Sequence, residues 1–216
     1  MSKNHPENTF KALEKLQKLG IRALFFDIGE VLVHVNKKFL IERIKERSSL
    51  DEATLIERIL GDGNMVLSHI GEITDNVYFK HLVELTEYSG TPAEMKQHWQ
   101  NMLELLEERV AEQQALAQHY PCGIISNITP YHVEAVENRW NLAKGFRWVI
   151  YSCDVGYVKP RKEIFEIALR QSSYTAEECF FWDDRADNIE TARELGFHAE
   201  QIFPEDTLKA CILRHE

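Results

Sequence analysis

The sequence predicts an α/β fold: a parallel sheet with helices on both faces, plus a small all-helical block inserted after the first strand. Three observations carry this. Short apolar runs alternate with helical patterns through the second half, as strand–helix–strand units do. The first of the apolar runs, IRALFFD at 21–27, has no polar alternation, as expected of a strand buried on both faces. From about residue 36 to 119 the pattern is helical, which separates that first strand from the others.

Taken in order, residues 9–19 predict a short helix with Phe10, Leu13 and Leu16 on one side, ended by Gly20. It is expected to cover a sheet edge rather than to build a dimer. After the strand at 21–27, Ser49 and Glu52 read as a capping box before a stripe of Leu55, Ile56, Ile59 and Leu60, and GDG at 61–63 stops that helix. Thr74 opens a helix carrying Val77, Tyr78, His81, Leu82 and Leu85. Thr91, Pro92 and Glu94 supply an N-cap, an N1 proline and a box partner. The acidic stretch 104–112 reads as a solvated helix face, and the last helix of the block can return to the sheet as a crossover. Strands are then expected at 122–126, 147–152, 179–184 and 198–203, with helices at 130–140, 161–171 and 187–195. The predicted division is a core of residues 1–34 and 112–216 and a helical unit of residues 35–111.

Composition narrows the function. The chain has 216 residues, 44% hydrophobic and 28% charged, which is globular and large enough for a sizeable core without disulfide or metal staples. Twenty-five Lys and Arg against thirty-five Asp and Glu leave a net charge of −10. That balance argues against nucleic acid and anionic membrane as partners. It also poses a problem for any anionic substrate. No apolar run reaches membrane-spanning length, the start MSKNHPENTFKALEKL lacks a signal-peptide core, and Cys122, Cys153, Cys179 and Cys211 form no CxxC pair. A cytoplasmic protein with reduced cysteines is expected.

Chemistry gathers at the predicted strand ends, where parallel sheets bind ligands. Asp27 ends the first strand, Ser126 and Asn127 the second, and Asp183 and Asp184 the fourth. Lys159 lies in the loop GYVKPRKEIF after the third. Three carboxylates on one rim repel one another unless a cation sits among them, and Mg²⁺ suits oxygen ligands and a phosphate. Lys159 would add positive charge, Ser126 a hydroxyl, and the amides of Ile28 and Gly29 an anion nest. An aspartate beside a phosphoryl group can be its nucleophile.

These segments resemble the motifs of the haloacid dehalogenase superfamily: FFDIGEVL the first, GIISNIT the second, GYVKPRKEIF the third and FFWDDRADNIETARELGF the fourth, with Asn188 downstream of its paired aspartates. Asp27 to Ser126, Ser126 to Lys159 and Lys159 to Asp184 are 99, 33 and 25 residues apart. GEIT at 71–74 resembles a recurrent segment of the family's helical caps. The resemblance spans about residues 21–203 and implies a Rossmann-like core with a helical cap. The nearest likeness is to bacterial sugar-phosphate phosphatases of the α-D-glucose-1-phosphate phosphatase type, whose first motif reads DLGNV. It implies Asp27 as nucleophile and metal ligand, and Gly29 as a ligand through its carbonyl. Ser126 and Asn127 would hold phosphate, with Lys159 bridging phosphate and Asp27. Asp184 would bind Mg²⁺ directly, and Asp183 through water or by orienting the site.

One position departs from the usual pattern. The second aspartate of the first motif, a general acid and base, is replaced by Gly29. DLGNV-type members share the glycine. Glu30 and His34 are the nearby substitutes, each a weak one. The expected activity is Mg²⁺-dependent hydrolysis of a small phosphorylated metabolite by a monomer or homodimer. The alternatives are a metal-independent haloacid dehalogenase, which has no need of clustered aspartates, and a phosphate-binding protein with little turnover. In the helical block, Met65, His69, Tyr78 and His81 are expected to pack helices together rather than face the site. The remaining histidines show no ligand spacing.

Overall fold

The computed structural model of the chain describes residues 6–216. Helix α1 (Pro6–Lys18) leads into β1 (Ala23–Phe26), whose four residues are all buried. The chain then runs through β2 (Val33–Val35), α2 (Lys37–Lys45), α3 (Glu52–Leu60), α4 (Asn64–His69), α5 (Asp75–Leu85), α6 (Pro92–Asn101) and β3 (Leu103–Leu105). Helix α7 (Glu107–Ala117) returns it to β4 (Cys122–Ser126). From there α8 (Pro130–Trp140), β5 (Trp148–Tyr151), α9 (Ser152–Val155), α10 (Lys162–Ser172), β6 (Cys179–Asp183), α11 (Ala186–Glu194), β7 (His198–Gln201) and α12 (Leu208–Arg214) follow. The sheet order is β5-β4-β1-β6-β7, and every pairing is parallel.

The sheet is a partition between two cores. Alternate residues of a strand point to opposite faces. Leu24, Phe26, Ile124, Phe180 and Trp182 therefore pack with α1, α7, α8 and α12, while Ala23, Phe25, Ile125 and Phe181 pack with α10 and α11. On the first face Phe26 and Trp182 stack with centroids 4.7 Å apart and planes 4° from parallel. This parallel order places the ends of β1, β4 and β6 side by side.

The helical block is bracketed by an antiparallel pair. Val33, His34 and Val35 of β2 face Leu105, Glu104 and Leu103 of β3, so the chain leaves and re-enters the sheet region at one place. The block also leans on the core at the GEIT segment. Gly71 there has φ +74°, and a Cβ on it would collide with the carbonyl of Cys153 in α9. Thr91 and Glu94 form the predicted capping box of α6.

Four local expectations are corrected. Asp51, not Ser49, caps α3, its carboxylate accepting from Thr54 N–H, while the Ser49 hydroxyl bonds to Glu87. The buried side of α1 is Ala12 and Leu16, with Phe10 64% exposed, and α1 packs along α12 over a sheet face rather than on an edge. On α5, Val77 is 53% exposed and Phe79 takes its place in the core. The acidic stretch is a solvated face only in part: Glu104, Glu107 and Glu108 are exposed, but Arg109 and Glu112 are buried. Arg109 donates to the carbonyls of Glu30, Phe203, Pro204 and Asp206. Glu112 accepts from Leu208 N–H at 2.7 Å and pairs with Lys209 at 3.2 Å. Thus α7, the crossover, also ties the turn after β1 to the segment after β7. No described helix is long and apolar enough to cross a membrane, and the four cysteines are free.

Candidate active site

The strand-end residues converge. Asp27, just past β1, sits between Ser126 at the end of β4 and Asp183 at the end of β6. Lys159 Nζ lies 2.9 Å from Asp27 Oδ2 and 2.6 Å from Asp183 Oδ2, and donates to the Ile125 carbonyl at 2.8 Å. Its ammonium is fully buried, with the Phe181 ring centroid 5.3 Å away. Burial works against its charge, but Asp183 and Asp27 outweigh that and raise its pKa.

The two members of the DD pair differ in how they are held. Asp183 Oδ1 accepts from Arg185 N–H and the Asn188 amide, both at 2.9 Å, while Oδ2 takes Lys159. Its lone pairs are committed to protein donors, so it orients the lysine. Asp184 is half-buried and pairs with no cation among the described residues; burial, then Asp183, raises its pKa. Oxygen atoms of Asp27, Asp183 and Asp184 lie within 4.8 Å of one another. Burial pushes the Asp27 carboxyl up to about 7, with Lys159 and the Ser126 hydroxyl pulling the other way. A single lysine therefore does not neutralise the cluster. A hard divalent cation fits this all-oxygen set and would supply the missing charge.

The surrounding turns hold these groups in place. Asp27 Oδ1 accepts from Ile28 N–H at 2.7 Å. Asn127 and Lys159 bond reciprocally: the Asn127 amide donates to the Lys159 carbonyl at 2.9 Å, and Lys159 N–H donates to Asn127 Oδ1 at 2.7 Å. The Asn127 side chain thus positions the lysine loop, which its place in the second motif did not indicate. Ser152 was missed in the sequence. Its hydroxyl bonds both the N–H and the carbonyl of Ile128 and fixes the turn after β4. Only the three-dimensional proximity of β4 and β5 reveals this.

Position 29 is open. A Cβ built on Gly29 meets only Val35 Cγ2, at 3.9 Å, and the backbone there needs no glycine. The two nearby substitutes hold each other: His34 Nδ1 is 2.9 Å from Glu30 Oε2, and Glu30 Oε1 accepts from Val35 N–H at 3.0 Å. Glu30 has φ +53°, so the pair braces a tight turn.

Two adjacent cavities border this rim. A niche of about 50 Å³ is lined by Gly29, Ser126 and Asn127 among others, and a chamber of about 570 Å³ is lined by both the helical block and α8. They share Val35, Asn127 and His132. Met65 and His69 line the chamber rather than only packing helices together, because α4 turns that side toward α8. Tyr78 is buried against Tyr131, and His81 bonds Asp62, as packing residues do. His132 lines both cavities, although no ligand spacing in the sequence marks it. Its signal was its place in the first turn of the helix that follows Ser126 and Asn127.

His132 gives a stability prediction. Its Nε2 bonds the Trp99 carbonyl at 3.1 Å, and burial pulls its pKa down to about 3 from 6.5. A folded pKa below the unfolded one means the folded state resists protonation. The contribution is fully present above pH 6.5 and is lost as pH falls from there toward 3, by about 1 kcal/mol per pH unit. Urea unfolding is expected to show a shallower loss between pH 6.5 and 4.5 in His132→Gln than in the parent; equal slopes would refute the assignment.

Comparison with known proteins agrees with the fold. A family model described as haloacid dehalogenase-like hydrolase matches residues 21–196. D-ribitol-5-phosphate phosphatase from Bacteroides thetaiotaomicron is 24% identical over 189 residues, 84% of this chain and 91% of that protein. A haloacid dehalogenase-family enzyme from Bacteroides thetaiotaomicron, crystallised with magnesium and inorganic phosphate, superposes with a TM-score of 0.77 at 21% identity, covering 87% of this chain and 97% of that one. L-2-haloacid dehalogenase from Xanthobacter autotrophicus superposes with a TM-score of 0.63 at 17% identity, covering 88% and 80%. The aligned span runs from the start of the first strand past the paired aspartates and Asn188, and so takes in every element that builds the rim: the chain belongs to the haloacid dehalogenase-like hydrolases.

Proposed function

We propose that this hydrolase is a Mg²⁺-dependent phosphatase acting on a small phosphorylated metabolite, with sugar phosphates among the candidates, and that residues 35–111 are its cap. The observation that carries the reading is the under-neutralised cluster of Asp27, Asp183 and Asp184 around one buried lysine. A metal-free dehalogenase gains nothing from two extra carboxylates that repel its nucleophile. The named activity of the ribitol phosphate relative supports the same choice.

In this reading Asp27, the Gly29 carbonyl and Asp184 would hold Mg²⁺, with Asp183 acting through water or by orienting the site, and the ion would supply charge against the phosphate oxygens. Asp27 attacks phosphorus, the bond to the leaving oxygen breaks, and an aspartyl phosphate forms. Water then attacks phosphorus and regenerates the carboxylate. Ser126 binds a phosphate oxygen through its hydroxyl and Asn127 through its backbone N–H, its side chain being held by Lys159, and the Lys159 ammonium, donating to Asp27, Asp183 and the Ile125 carbonyl, sets its positive charge beside them. Hydrolysis of p-nitrophenyl phosphate with and without Mg²⁺ tests this. Full activity in excess chelator would refute the metal assignment.

Gly29 favours a second reading, a phosphate-binding protein with slow turnover, and the open space at position 29 lets the two be separated. Gly29→Asp restores the usual acid and base where a side chain fits. Its kcat on an alkyl phosphate, a poor leaving group, is expected to rise roughly 10²-fold, the low end for general acid–base catalysis. The gain on p-nitrophenyl phosphate is expected to be much smaller. Equal gains on both would mean that protonation is not what the glycine lacks.

A further inference from the structure

The chamber has a character that phosphate chemistry does not explain. Its walls are mostly apolar and aromatic, including Leu40, Ile41, Trp99 and Met102, and Ile56 and Leu60 of α3 line it while keeping exposed surface. Lys37 and Lys38 are exposed residues of the same lining. Its polar groups are few. The Asn127 amide is committed to Lys159, and the Tyr131 hydroxyl is buried beside Tyr78. With the Trp99 Nε1–H also buried, and Glu52 exposed like the two lysines, what remains inside are two imidazoles, one from each side.

Both imidazoles are tethered in a way that fixes their chemistry. His69 Nδ1 lies 2.8 Å from the Met65 carbonyl, and His132 Nε2 lies 3.1 Å from the Trp99 carbonyl. A carbonyl only accepts, so each tethered nitrogen carries the hydrogen. The other nitrogen of each neutral ring is then an acceptor. Burial disfavours the charged form of both, and the rings are near enough for His69 to act on His132. The interior of the chamber thus offers two acceptors between apolar walls, with Lys37, Lys38 and Glu52 at its exposed margin.

We propose that this chamber selects a phosphomonoester whose leaving group has a flat apolar or aromatic body and carries a hydroxyl or N–H donor, received by His69 and His132. The inference rests on the phosphatase reading of the adjoining rim. A polyol chain would bury several hydroxyls against walls with two partners to offer, and each unpaired one costs roughly tenfold in affinity. A volume of about 570 Å³ suits a ring system better than a short sugar. His69 and His132 act as specificity determinants, and neither is asked to transfer a proton to the reacting oxygen.

The test compares kcat/KM for phenyl phosphate, 4-hydroxyphenyl phosphate and ribitol 5-phosphate. The aryl phosphates are expected to exceed the polyol phosphate at least tenfold, and the ring hydroxyl to add about tenfold more, expressed in KM. His69→Phe and His132→Phe are expected to bring the ratio between the two aryl phosphates toward one, and His132→Gln to restore part of it. Because the readout is a ratio, a general loss of activity does not mimic it. A preference for the polyol, or a ratio that neither variant changes, overturns the proposal. If none of the three is hydrolysed, their dissociation constants on Asp27→Asn decide. The same ranking in affinity upholds the chamber while the phosphatase reading fails, and no ranking overturns the chamber as well.

Discussion

Asp27→Asn is expected to lower phosphatase activity by at least about 10⁴-fold while leaving the fold intact. The loss follows from the proposed chemistry: an amide cannot attack phosphorus, and no other carboxylate is placed to replace it. Asp183 is committed to Lys159, Arg185 N–H and Asn188, and Asp184 is the carboxylate left free to hold the metal. The fold survives because Asn has the same shape, and its oxygen can still accept from Ile28 N–H. Lys159 keeps Asp183 and the Ile125 carbonyl as partners. Burial already disfavours the charge at Asp27, so removing it is expected to leave thermal stability equal or higher in the absence of Mg²⁺. A paired assay and melting curve check both halves. Residual activity above about one per cent would mean that another group is the nucleophile.

Much of this site is legible in the sequence because Asp27, Ser126 and Asp183 end apolar runs and Lys159 lies in the loop after another. A parallel sheet forces those ends to one rim, so Asp27, Ser126, Lys159 and Asp183 could be brought together from order alone. What is not legible depends on neighbours distant in the chain. Arg109 reads as a charge in an acidic run, yet its partners are carbonyls at 30, 203, 204 and 206. Ser49 and Asp51 both satisfy the composition of a cap, and only the bond from Thr54 decides between them. His69 and His132 share no spacing because they come from different helices, α4 and α8, and line one cavity together. The net charge of −10 likewise says little about the rim. There, one buried lysine and the proposed cation act at contact distance, where short range outweighs a screened global field.

Lys159→Met separates the structural from the chemical part of that local charge. Methionine keeps much of the length and the packing against the Phe181 ring, and removes the ammonium that lies between Asp27 and Asp183. Two buried carboxylates then face each other without a counter-charge, a situation that typically costs about 3–5 kcal/mol. The variant is expected to unfold at lower urea by that amount in chelator and to recover part of it in Mg²⁺, because a divalent ion offsets the same charges. Adding Asp183→Asn removes one of the stranded charges. The double variant is therefore expected to be more stable than Lys159→Met alone, a coupling that a pure packing defect would not produce. Activity follows a different rule. Mg²⁺ replaces charge but not the donor that fixes the Asp27 carboxylate, so kcat is expected to stay at least about 10²-fold down even where stability has returned. If Mg²⁺ restored both together, the lysine would be a scaffold for the aspartates and nothing more.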